Sequence, residues 1–65
     1  MSAEKLVMYK GFAIWVARDN EGHYFEITDK LGVGIKTSEE SYPDQDAAIG
    51  GAKTCIDHIA PDGQP

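Results

Sequence analysis

The sharpest pattern in the chain runs from Phe12 to Arg18, where β-branched and aromatic residues predict a strand. Alternation puts Phe12, Ile14 and Val16 on one face and Ala13, Trp15 and Ala17 on the other. A second strand, His23 to Thr28, follows the polar Gly-ended turn Asp19-Asn20-Glu21-Gly22. Pairing Arg18 with His23 sets Val16 opposite Phe25 and Ile14 opposite Ile27, and a slip by one residue would scatter that apolar face. A three-residue loop, Lys30-Leu31-Gly32, with Gly32 at positive φ, then pairs Ile27 with Ile35. On that register Val33, Ile35 and Thr37 extend the apolar face, and Glu26 and Lys36 become neighbours on the opposite one. Leu6-Val7-Met8-Tyr9 is also strand-like, joined to the first strand through Lys10-Gly11 as a tight turn or a bulge.

After a polar connection, Thr37 to Tyr42, a helix is expected to begin at Pro43-Asp44, with Asp44 as N-cap and Asp46 favourably placed for the helix dipole. Ala48, Ala52, Cys55, Ile56 and Ile59 form one helical stripe, with Ile49 at its edge and Pro61 as a stop signal. Gly50 and Gly51 each weaken a helix by about 1 kcal/mol relative to Ala, which packing must offset. Gly51 borders the stripe, where close approach of helix to sheet would call for a glycine.

The predicted architecture is α+β: a three-stranded antiparallel meander, with room for a short N-terminal strand, and one C-terminal helix packed on one face. Its expected core is Phe12, Ile14, Val16, Phe25, Ile27, Val33, Ile35, Ala48, Ala52, Cys55, Ile56 and Ile59. Residues 1–5 are expected to fray, 6–60 to form the single β-β-β-α domain, and 61–65 to be a flexible tail.

Composition narrows the functional classes. Sixty-five residues suffice for one small domain and leave little room for an active-site cleft. Hydrophobic residues at 42% and charged residues at 26% are those of a folded chain rather than a disordered one. A membrane helix needs about 20 apolar residues, far more than the run Phe12 to Ala17 supplies, and no signal peptide is legible at the start. The single cysteine, Cys55, allows no internal disulfide, which suits a reducing compartment and a cytoplasmic setting.

Charge bears on the partner. The formal net charge is −5, and the six basic residues, Lys5, Lys10, Arg18, Lys30, Lys36 and Lys53, are dispersed. Nucleic-acid binding draws on a basic patch, so this balance disfavours it despite the sheet aromatics. Cys55 and His58 are one helical turn apart, with Asp57 between them, but a structural zinc site needs four ligands and His23 is the only other histidine. Asp19/Glu21 and Asp44/Asp46 lack the calcium-loop pattern and read as turn and cap residues. Ser38, Ser41 and the adjacent Glu39-Glu40 show no spacing that signals nucleophilic or acid–base chemistry, and neither glycine cluster is a phosphate loop. No catalytic, cofactor-binding or metal-binding residue is assigned, and the chain reads as a non-enzyme.

The sheet face turned away from the helix is the remaining candidate. One helix cannot cover both sides, and the uncovered side is expected to carry Trp15, Ala17, Tyr24, Glu26 and Lys36 as a surface for a protein partner or a second copy. The competing reading is that Leu6, Met8 or Tyr9 folds across and covers Trp15.

Tyr9-Lys10-Gly11-Phe12, Asp19-x-x-Gly22-x-Tyr24-x-x-Ile27 and Tyr42-Pro43-x-x-x-Ala47-Ala48 with Ala52 resemble a family of small uncharacterised proteobacterial β-β-β-α domains, over about residues 9 to 59. Ser38-x-x-x-Tyr42 before the helix gives a looser likeness to YegP-like domains. Another is to HicB-like antitoxin domains, in which such a unit neutralises a small toxin. The first resemblance implies a fold rather than an activity. The last implies, as an alternative function, an antitoxin-like or nucleic-acid-linked regulator, although no DNA-binding segment is legible after the helix. None implies catalytic residues.

Overall fold

The computed structural model describes residues 4–60; the expected flexible tail, 61–65, and the Pro61 stop signal lie outside them. Four strands, β1 (Lys5–Tyr9), β2 (Phe12–Asp19), β3 (Gly22–Thr28) and β4 (Gly34–Thr37), form an antiparallel sheet in chain order, followed by α1 (Gln45–Ile59). The predicted meander is present, with the N-terminal strand added at its edge. β1 includes Lys5, and the Glu4 N–H donates to the Val16 carbonyl, so the chain is already ordered within the stretch expected to fray.

The central register is the one that burial requires: Val16 pairs with Phe25 and Ile14 with Ile27. All four are fully buried beneath the helix, together with Ile56. Lys10 and Gly11 both take positive φ (51° and 82°), giving the two-residue turn that suits the twist of a tight hairpin. Asp44 caps α1 as expected, its carboxylate accepting the Ala47 N–H at 2.8 Å.

The β3–β4 connection departs from expectation. Gly32 does take positive φ (86°), but Ile27 pairs with Lys36, not Ile35. The cause is Asp29. Its Oδ1 accepts the N–H groups of Leu31 and Val33, and its own N–H donates to the Val33 carbonyl. The loop therefore extends through Val33, Thr28 pairs with Gly34, and Ile35 is the extra residue of a bulge. Val33 and Ile35 are exposed rather than in the core. Lys36 moves to the helix side of the sheet.

The helical stripe is rotated slightly from its predicted line. Ala48, Ile49, Ala52, Ile56 and the capping Ala60 are buried, Cys55 is half-buried against the core, and Ile59 is exposed. Gly51 does mark a close approach, but to Tyr42 rather than to the sheet: a Cβ there would run into the Tyr42 hydroxyl and ring. Tyr42 is held by paired backbone hydrogen bonds with His23 and packs on Phe25, ring centroids 5.9 Å apart.

A polar clasp ties the β1–β2 turn to the helix. The Asp57 carboxylate accepts from Tyr9 Oη at 3.0 Å and from Lys10 Nζ at 2.6 Å. Those bonds, the lysine's first, hold the Asp57 carboxyl below the usual carboxylate range, and the same contact pushes the Tyr9 phenol up. A carboxyl depressed by folding contributes stability above its unfolded pKa of about 4, and the contribution is lost as pH falls through the lower folded value. Asp57→Asn should therefore lower the thermal midpoint near neutrality, and the gap from wild type should close in acid. A gap that does not change with pH would show that the clasp is not formed in solution.

Candidate functional site

Strand alternation decides what faces away from α1. Ile14, Val16, Phe25 and Ile27 point at the helix, so Trp15 and the residues paired with it point the other way. Cross-strand, Leu6, Trp15, Glu26 and Thr37 form one row, Met8, Ala13 and Thr28 a second, and Ala17 and Tyr24 a third. Of the five residues expected there, Trp15, Ala17, Tyr24 and Glu26 are on this face. Lys36 is not: its pairing with Ile27 puts it on the helix side, where its ammonium bonds Glu39 at 2.9 Å and borders the half-buried Cys55. The bond to Glu39 raises the Lys36 pKa and lowers that of Glu39.

Leu6 and Met8 join the face. They do not fold over Trp15; β1 adds to the sheet edge and sets Leu6 beside the indole in the plane of the sheet. All three remain accessible, at 49% for Leu6, 62% for Met8 and 38% for Trp15. Tyr9 is on the other side, packed against the core. The Leu6-x-Met8 spacing, combined with the Lys10-Gly11 turn, would have placed both residues here from the sequence.

Trp15 is anchored as well as exposed. Its Nε1–H donates to Thr28 Oγ1 at 2.9 Å, so its one polar group is satisfied within the chain. The indole has few rotamers left to lose on contact, which is the condition that makes an aromatic an effective anchor. Beside it, Ala13 and Ala17 are small and buried, so the ring stands above its strand. Glu26, directly across from Trp15, is exposed and has no ion-pair partner among the described residues.

Elsewhere the surface offers shallow, open depressions. One near the β2–β3 turn, about 310 Å³, is lined by Asp19, Glu21, Tyr24 and residues 37–41. Among the described residues no three His, Cys, Asp or Glu side chains cluster as metal ligands, and Cys55 is a free thiol. Among the same residues no helix is long and apolar enough to cross a membrane. The chain has no significant match among protein-family models, curated proteins or solved structures.

Proposed function

We propose that this chain is a small non-enzymatic interaction domain that binds a protein partner through the open sheet face. The observation that carries the reading is Trp15: an indole fixed by Thr28, accessible, flanked by exposed Leu6 and Met8, and on the side that α1 leaves uncovered. Large aromatics of this kind dominate binding energy where they meet a complementary surface.

The charge on the face indicates what would meet it. Glu26 lies at its centre, and the one base expected there, Lys36, is on the other side. A second copy laid face to face would bring two such carboxylates and two chains of net charge −5 together. The fitting partner presents apolar side chains around a basic group. A reducing, cytoplasmic setting accords with the unpaired Cys55.

Selection of a displayed random peptide library on the folded chain tests this. Enriched peptides should combine apolar and basic residues, and their binding should fall at least roughly tenfold on Trp15→Ala, as loss of an aromatic anchor implies. Glu26→Gln should weaken the basic ones. Binders indifferent to both substitutions, with the fold intact, would overturn the assignment.

A further inference from the structure

The two edges of the sheet are built differently. β4 is short, starts at Gly34 and is broken by a bulge at Ile35, all features that blunt an edge against pairing. β1 has none of them. Its five residues pair with β2 in an unbroken register, contain no Pro or Gly, and run Leu6-Val7-Met8 between Lys5 and Tyr9. Such a strand presents a row of backbone donors and acceptors ready for another strand.

We propose that β1 pairs antiparallel with β1 of a second copy about a two-fold axis through Val7. The two four-stranded sheets then become one continuous sheet, with both helices on the same side. This assignment does not rest on the partner reading of the open face, because it uses the strand edge rather than the sheet surface.

The sequence of β1 is self-complementary about Val7, as an isologous contact requires. Leu6 lies opposite Met8 of the second copy, giving an apolar pair on each side of the axis. At the rims, Glu4 comes beside the Lys10 end of the second copy, each keeping its own partners within the chain, Arg18 and His23 for Glu4 and Asp57 for Lys10. Shifting the pairing by two residues keeps the faces matched but sets a charged residue against an apolar one. In one direction Glu4 meets Met8, and in the other Lys10 meets Leu6. Shifting it by one turns the helices to opposite sides. The charges at the edge are mixed, and Asp19, Glu21, Glu39 and Glu40 line a depression near the β2–β3 turn and the β4–α1 connection.

Pairing also enlarges the accessible apolar patch. Leu6 and Met8 are the edge members of the Trp15 face, and the axis joins the two patches into one strip across the dimer.

Sedimentation equilibrium of the full chain from micromolar to millimolar concentration should show the mass rising from 7.1 kDa toward twice that value. Leu6→Lys with Met8→Lys sets like charges against each other on both sides of the axis and should weaken dimerisation roughly tenfold or more. Leu6→Lys with Met8→Glu sets each new lysine against a new glutamate of the other copy and should restore much of it. A mass that stays at 7.1 kDa, or two double variants that associate equally, would overturn the proposal. Amide chemical shifts of the unmodified chain give a readout that needs no variant. Concentration-dependent shifts should fall on β1, and shifts confined to β4 or to the centre of the open face would also overturn it.

Discussion

Replacing Ile56 by alanine should destabilise the domain by about 2–5 kcal/mol, the cost of emptying a fully buried isoleucine site. Ile56 lies where the helix meets Ile14, Val16, Phe25 and Ile27, and small side chains along the rest of the stripe, Ala48 and Ala52, cannot collapse into the space. At roughly 0.05–0.15 kcal/mol per residue, a chain of 65 residues has only about 3–10 kcal/mol to lose. The variant should therefore unfold at much lower urea, or be largely unfolded without it. Ile59, one turn later, is exposed, and Ile59→Ala should change stability by less than about 0.5 kcal/mol. Urea midpoints at constant slope measure both. Similar losses at the two positions would mean that α1 is rotated from the orientation described.

The adjacent glycines of α1 should respond to one substitution with opposite signs. At Gly50 a new methyl group meets nothing within van der Waals reach, so Gly50→Ala should gain about 0.5–1 kcal/mol through helix propensity. At Gly51 the same methyl would overlap the Tyr42 hydroxyl and ring. Tyr42 has little freedom to retreat, because its backbone is bonded to His23 and its ring rests on Phe25. Overpacking costs about 1–3 kcal/mol, which outweighs the propensity gain over most of that range. Thermal unfolding of both variants checks the contrast. Stabilisation at both positions would show that the Tyr42 ring does not occupy the groove over Gly51.

Legibility of the fold followed the physics of each element. The β2–β3 register was readable because four apolar residues have to share one buried face, and only one pairing allows it. The Asp44 cap was readable because a local side-chain bond sets it. The β3–β4 register was not, because apolar periodicity was the wrong guide there. The Asp29 carboxylate gathers two loop amides and lengthens the turn, and the exposure of Val33 and Ile35 is the consequence. Lys36 was misplaced with them. The indole face was legible from alternation alone, whereas the Thr28 bond that fixes the ring joins residues 13 apart and leaves no local trace. The tyrosine and lysine contacts to Asp57 span 48 and 47 residues and are equally invisible to local pattern.

Each strand pairs with its neighbour in the chain, and α1 comes after all of them. During synthesis, at about 5–20 residues per second, the strands leave the ribosome before the segment that will cover them. For a second or so the nascent chain can close its hairpins, which takes microseconds, while the side destined for the helix is still bare. A helix weakened by two glycines gains little by forming early, so its assembly waits on the sheet. The sheet is therefore most exposed to aggregation in the interval before α1 emerges.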